Sequence, residues 1–323
     1  MKRHPRLVSV IIPAYHRPDA LQRAVRSVLA QQLPEATALE VIIAVSDPSA
    51  GADVETARAL TSDPRVRMTL SEGGGSASSR NAALKIAAGD VIAFTDDDCE
   101  AQPGWLVAGL EALRRADLVQ GSTRPAGPIP NFGHSVTVDP PTWRWETCNL
   151  LARRELFDRF GVFDDKWDAL DRHPFGEDIE WGWRVVRGGA RPAFAPSALV
   201  LHAVTGGDLR RYLQYWALLG RYPELLRRTP EVRRAFWLGL FFNRRHALIT
   251  TCLGLGLASI VLRMRGRKSL SGAAVAVGAS MYLWPIRQSV KAMIIGTGLR
   301  TITDVTELAS LVYGSVRWKR PLL

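Results

Sequence analysis

The sequence predicts an α/β protein: a mostly parallel, helix-wrapped sheet followed by a basic, apolar helical region. Three observations carry this. Between residues 7 and 95, segments apolar on both parities alternate with segments of helical period. The acidic run Asp96-Asp97-Asp98 follows the last of those apolar segments. Charge is also split along the chain of 323 residues and net charge +11: residues 205–323 hold 19 Lys and Arg against 5 Asp and Glu, while residues 1–204 hold 23 against 26. The length suffices for one large domain and an appendage, and the change of character sets the expected boundary between 1–204 and 205–323.

Leu7–Ile12 is apolar and β-branched on both faces, the pattern of a strand covered on both sides. It runs into Pro13 without a cleavage site, so it is expected to be a buried strand and not a signal peptide, despite Lys2, Arg3 and Arg6. Pro18–Gln31 has a helical stripe in Leu21, Val25, Val28 and Leu29. Leu39–Val45 is a second buried strand, Val54–Leu60 a helix, and Arg65–Leu70 a third strand. Ser76–Ala88 is helical with Gly89 as its expected C-cap, and Val91–Thr95 is a fourth strand. In such sheets the ligand crevice lies at the carboxyl ends of the strands, where Tyr15, Asp47 and Asp96–Asp98 fall. Pro125–Pro141 is a loop, and a further helix is expected over Asp178–Arg187 before Gly188-Gly189. Three scattered cysteines, Cys99, Cys148 and Cys252, fit a reducing compartment and no disulfide framework.

Four groups of residues carry chemistry. Three adjacent carboxylates at a strand end repel one another and suit a hard divalent cation that shares its shell with phosphates; on an extended segment Asp96 and Asp98 point to one side. The unassisted alternative is a solvated acidic turn. Gly73-Gly74-Gly75 before the Ser76 helix, with Arg80, fits an anion cradle or a plain flexible loop. Glu177 and Asp178, beside Trp181 and Trp183, fit a general base or simple N-terminal helix capping. His202 after the strand Ala198–Leu201 is by itself a packed histidine, and a ligand only if the acidic run holds a metal.

These motifs together resemble the inverting family 2 glycosyltransferases of the GT-A fold. The resemblance rests on Val8-Ser9-Val10-Ile11-Ile12-Pro13-Ala14-Tyr15, on Arg80-Asn81 with Ala88-Gly89-Asp90 and Phe94-Thr95-Asp96-Asp97-Asp98 (the DxD region), on Cys148-Asn149-Leu150 through Asp164, and on Gly176-Glu177-Asp178 with Trp183-Arg184. It covers roughly residues 7–204 in family order. It implies that Pro13, Ala14, Tyr15, Arg17 and Asp47 line the nucleotide site and that Arg80 contacts base or diphosphate. Asp96 and Asp97 would bind the donor, and Asp98, Asp96 and His202 would hold Mn²⁺ or Mg²⁺. Asp178 would be the base that deprotonates the acceptor hydroxyl, with Glu177 as fallback. Family members often carry two acidic residues after the second strand; here Ser46-Asp47 stands there, a departure that removes one carboxylate from the usual uracil contact, so UDP is the default donor base and GDP and dTDP stay open.

His246–Leu262 and Leu270–Ile286 are apolar runs near the lower limit for spanning a bilayer. Arg263, Arg265, Arg267 and Lys268 between them work against a two-span hairpin and favour a re-entrant or interfacial arrangement at the cytoplasmic face. The expected partners are a nucleotide-sugar donor, a glycan or lipid-linked acceptor and a membrane surface, with no nucleic acid. Two other function classes fit the sequence less well. A nucleotidyltransferase would carry a Gly-rich basic loop after the first strand, where Pro13–Pro18 stands instead. A non-catalytic basic module for nucleic acid conflicts with the apolar runs.

Overall fold

In the computed structural model, which describes residues 5–73, 75–139, 141, 144–166, 175–266, 290–319 and 321–322, the first apolar run becomes β1 (Leu7–Ala14). It lies between β2 (Ala38–Val45) and β4 (Val91–Thr95), parallel to both, and β3 (Val66–Leu70) extends the parallel half beyond β2. Alternation along each strand divides the core in two. Val8, Val10 and Ile12 face one side with Val41, Ile43 and Ala93, under the helices α1 (Pro18–Leu29) and α4 (Trp105–Leu113). Ile11, Ile42, Ile92 and Phe94 face the other, with α3 (Ser76–Ile86), α5 (Arg154–Phe160) and α6 (Glu177–Arg187). Full burial of a large aliphatic side chain contributes about 1.5–3 kcal/mol, so this doubly covered sheet is the rigid floor on which the site stands. A short helix α2 (Gly51–Leu60) joins β2 to β3.

The sheet is mixed. Its order is β3-β2-β1-β4-β7-β6-β8-β5, where β5 is Cys99–Ala101, β6 Leu118–Pro125, β7 Asn149–Arg153 and β8 Pro192–His202. β7 runs antiparallel to β4 and β6, and β5 antiparallel to β8. The repeating strand-helix pattern extends only to residue 95, so the parallel expectation holds for the first half and the second half turns around β7. A buried side chain pins this turn: Asn149 accepts from Trp105 Nε1 at 2.8 Å and donates to the carbonyls of Ser122 at 2.7 Å and Ala198 at 2.8 Å. Asn149, part of the stretch expected to lead to the acceptor, is thus a structural clamp between β7, β6 and β8.

Gly89 is not the C-cap of α3. The helix ends at Ile86, with Ala87 already extended. A side chain on Gly89 would press on the Ser9 backbone, its Cβ only 2.6 Å from the amide nitrogen, and the Gly89 N–H donates to Ser9 Oγ at 2.7 Å. The glycine serves close packing against β1.

Residues Met1–Asp208 form one compact unit and Leu209–Leu323 a second. The second is mainly helical where described: α7 (Leu209–Ala217), a 3₁₀ turn, α8 (Tyr222–Arg228), a further 3₁₀ segment (Pro230–Ala235), α9 (Arg244–Met264) and α10 (Val290–Trp318). Residues His246–Met264 of α9 are long and apolar enough to cross a membrane, and Leu257 and Met264 are 66% and 83% exposed. The run Leu270–Ile286 lies outside the described residues.

Candidate active site

The carboxyl ends of β1 and β4 bring the first two motifs together. After β1 the chain turns through His16, at φ 54°, and this loop is pinned by two carboxylates. Asp97 accepts from the Tyr15 amide at 2.8 Å, and Asp53 accepts from the amides of His16 and Arg17, the latter at 3.1 Å. Asp53 carries no sequence signal beyond an acidic first turn of α2, and its role was not legible. Pro13 and Ala14 are buried at the end of β1 and Tyr15 is exposed beside them. Asp47 accepts from the amide and hydroxyl of Ser49 at 2.9 and 2.6 Å and lies 3.3 Å from His16 Nε2. The Ser49 hydrogen bonds hold its carboxyl below the usual range. Ser46 accepts from Ser79 Oγ of α3 at 2.8 Å, so the place of the second family carboxylate is filled by a buried hydroxyl pair.

The acidic run is a turn, not an extended segment: the Cys99 amide donates back to the Asp96 carbonyl at 3.1 Å. The strand parity that predicted a common direction for Asp96 and Asp98 therefore does not apply. The three carboxylates divide between two cations. Arg17 binds Asp98 and, at 3.2 Å, Asp97; Arg80 binds Asp96 at 2.9 Å. Burial pushes the Asp97 carboxyl up to about 7, with Asp98 and Asp96 adding to the rise and the Tyr15 amide and Arg17 opposing it. Burial also raises Asp98. Arg17 keeps its charge despite burial because Asp98 and Asp97 face it.

His202, at the end of β8, reaches Asp98 because β5 carries Cys99 against His202 in register. Its Nε2 is 3.6 Å from Asp98 Oδ1, and its Nδ1 is 2.7 Å from the Ala203 carbonyl. A carbonyl only accepts, so Nδ1 carries a proton, and Nε2 is the ring nitrogen turned toward the carboxylate. An imidazole nitrogen and a carboxylate oxygen facing each other across that distance are a donor pair that suits a divalent ion. Asp98, Cys99 and His202 each offer a ligand atom within 4.8 Å of the others, and all three are buried. The oxygen and imidazole donors fit Mn²⁺ or Mg²⁺ chemistry; Asp96, held by Arg80, is outside this group.

The third motif opens α6. Gly176 takes φ 80° and starts the helix so that Glu177 turns inward. Glu177 is buried; its Oε1 accepts from Ser76 Oγ at 2.9 Å and Arg80 Nη1 at 3.1 Å. The start of α3, for which the sequence left an anion cradle and a plain loop open, thus faces a protein carboxylate. Arg80 is itself only 4% exposed, with its two terminal nitrogens on Asp96 and Glu177. The next residue, Asp178, is half-buried and accepts the Ile179 amide at 2.8 Å. Burial pushes its carboxyl well above the usual range, Glu177 and Glu146 push further, and Arg80 opposes them. Glu146 was not legible in the sequence, since it sits in a loop 32 residues before Asp178. Behind them α6 is seated by aromatics. Trp181 stacks on Phe157 at 4.4 Å, and Trp145 meets Trp183 edge-on at 6.0 Å. Trp145 also lies against Gly182, where any side chain would collide with its ring.

Comparisons with known proteins bear on the family and the fold. The family model described as Glycosyl transferase family 2 matches residues 9–176. Glycosyltransferase AglE of Haloferax volcanii is 27% identical over 245 residues, 72% of this chain and 79% of that protein. The succinoglycan biosynthesis protein ExoM of Rhizobium meliloti is 30% identical over 214 residues, 60% of this chain and 65% of that one. The solved structure of mannosyltransferase PcManGT from Pyrobaculum calidifontis, in complex with GDP-Man and Mn²⁺, aligns with a TM-score of 0.57 at 19% identity, over 98% of this chain and 88% of that chain. That likeness bears on the fold.

Proposed function

The chain belongs to glycosyl transferase family 2 and is a GT-A-type glycosyltransferase; on that premise we propose that it moves a sugar from a nucleotide-diphosphate donor to a glycan or lipid-linked hydroxyl, with inversion. The observation that carries the reading is the Arg80 bridge. One buried guanidinium joins Asp96 of the acidic turn to Glu177 beside Asp178, so the donor corner and the base motif share a single cation although 81 residues separate the two carboxylates.

In this reading Asp98 and His202 hold a divalent ion, Mn²⁺ or Mg²⁺. Such an ion supplies charge stabilisation to the departing diphosphate. The Pro13–Arg17 loop, fixed by Asp53 and Asp97, lines the nucleoside side with Asp47. Arg17 neutralises Asp97 and Asp98 without the ion, and its guanidinium is suited to the diphosphate once the ion takes its place on Asp98. Arg80 serves the donor through Asp96, as a positioning residue. Asp178 removes the acceptor proton; its raised pKa brings it nearer the operating pH, where a general base works best. Glu177, already bonded to Ser76 and Arg80, orients rather than reacts.

A UDP-sugar remains the default donor despite the missing carboxylate at Ser46, and the complex of PcManGT with GDP-Man makes GDP the second candidate. The exposed apolar face of α9 and the basic excess of residues 205–323 support delivery of the acceptor at the cytoplasmic face of a membrane. The relatives named for O-antigen and succinoglycan biosynthesis favour an envelope or exported glycan. The test is transfer from radiolabelled UDP- and GDP-sugars to a lipid extract with Mn²⁺, Mg²⁺ or chelator. Metal-dependent labelling from either donor supports the proposal; no sugar transferred from either donor, with pyrophosphate released when a nucleoside triphosphate and a sugar 1-phosphate are supplied instead, contradicts it.

A further inference from the structure

We propose that the turn Trp237–Phe241, just before α9, is a wedge that enters the headgroup layer of an anionic bilayer. The proposal rests on the membrane reading above and adds to it a contact separate from the face of α9. The turn has fixed ends. Phe236 and Phe242 flank it, with ring centroids 5.8 and 5.2 Å from that of the buried Tyr222 and 5.5 Å from each other. Between them the chain doubles back. The Trp237 amide donates to the Phe241 carbonyl at 2.8 Å, the Phe241 amide returns a bond at 3.0 Å, and the two rings lie 5.7 Å apart. Arg233 Nη1 braces the turn by donating to the Gly239 carbonyl at 2.7 Å.

What this braced turn presents is apolar. Leu238 is 76% exposed and Trp237 38%. Leu238 also takes φ 53°, and Gly239 follows at 66°. The left-handed region is disfavoured for leucine, where glycine or asparagine fits without that cost. In water neither the backbone nor the exposure favours a leucine at this tip. Both are accounted for if the side chain leaves water for an apolar medium. Charge identifies the medium. Arg234 before the turn and Arg244 after it are exposed, and the sequence holds no Asp or Glu between Glu231 and Asp304. An apolar tip flanked by guanidinium groups matches the boundary of an anionic leaflet, where tryptophan sits at the headgroup level and arginine meets lipid phosphate. Asn243 caps α9 directly after Phe242, so the wedge stands at the mouth of a helix apolar enough to enter the same bilayer.

The test uses the full chain in nanodiscs of phosphatidylcholine, with or without phosphatidylglycerol, doped with lipid that carries a nitroxide quencher near its headgroup. One sample bears a fluorophore on Leu238→Cys and another on Leu257→Cys of α9. Both carry Cys252→Ser, because the remaining cysteines, Cys99 and Cys148, are buried. The proposal expects the Leu238→Cys label to be quenched, about twofold more with phosphatidylglycerol than without it. Arg234→Gln with Arg244→Gln, both at exposed positions, should remove that difference. Quenching at Leu257→Cys alone would overturn the wedge and leave the α9 contact standing. Quenching at Leu238→Cys alone would support the wedge and remove α9 from the bilayer, and quenching at neither would remove both. Equal quenching in the two lipid mixtures would overturn the choice of an anionic leaflet. Shielding of the Leu238→Cys label from aqueous iodide in detergent, growing with protein concentration, would assign the turn to a second copy of the chain and overturn the proposal as well.

Discussion

Arg80 Nη1 donates to Glu177 Oε1 at 3.1 Å, and this buried pair joins α3 to the start of α6. The same guanidinium holds Asp96. Removing one partner of a buried ion pair leaves the other charge uncompensated, at a cost of about 3–5 kcal/mol. Arg80→Met is therefore expected to destabilise the chain by about that amount in denaturant titrations. Adding Glu177→Met should recover part of the loss, because one orphaned charge disappears with it. Strictly additive losses in the double variant would mean that the two residues are not coupled.

Asp178 makes a pH prediction. Its carboxyl is raised by burial and by Glu177 and Glu146. As the proposed general base, Asp178 would work deprotonated, so kcat/KM should fall as pH drops through a pKa above the normal carboxylate range. Glu146→Gln removes one like charge, lowers the Asp178 pKa and should move the acidic limb of the profile to lower pH. Asp178→Asn should abolish transfer and leave donor binding near wild type. A limb that does not move in Glu146→Gln would remove Glu146 from the site's electrostatics.

On the proposed function, the divalent ion competes with Arg17 for Asp98, whose Oδ2 Arg17 binds. Arg17→Met is expected to lower stability without metal and to enlarge the Mn²⁺-induced rise in Tm, since Mn²⁺ no longer displaces a guanidinium. The same change should weaken nucleoside diphosphate binding. An Mn²⁺ response equal to that of the wild type would show that Arg17 does not occupy the metal's place.

Glu40 tests the fold apart from the site. It accepts from Ser9 Oγ at 2.5 Å, the Ala88 amide at 2.6 Å and Arg67 at 3.1 Å. Burial alone would raise its pKa, but these three donors outweigh burial and lower it. A depressed folded-state pKa contributes stability that is present above the unfolded value and lost as pH falls through the folded value. Glu40→Gln should therefore destabilise at neutral pH, by about 1–3 kcal/mol, and flatten the loss of stability on acidification. An unchanged acid transition would place the main protonation elsewhere.

The parallel half of the fold was legible because β1, β2 and β4 are apolar on both parities, a signal that survives without tertiary context. The second half was not. β5 is only three residues long, and β6 carries Gln120, Ser122 and Thr123, polar residues buried by pairing rather than by pattern. The acidic turn and the Glu177-Asp178 pair were visible as residue types. Their wiring was not, because it runs through long-range contacts such as Arg17 to Asp98, and because the turn at 96–98 breaks the parity argument that placed Asp96 beside Asp98. Asp53 and Glu146 lie in unremarkable stretches and gain their roles only from what the fold sets beside them.

The central claim, that Asp98 and His202 place a divalent ion where a nucleoside diphosphate is bound, is tested most directly by thermal unfolding of the wild type and Asp98→Asn. UDP and GDP would each be added with and without Mn²⁺. The account predicts that one nucleotide raises the wild-type Tm far more with Mn²⁺ than without, that Asp98→Asn loses this synergy, and that Asp178→Asn keeps it. Equal stabilisation with and without Mn²⁺, or full synergy in Asp98→Asn, would contradict it.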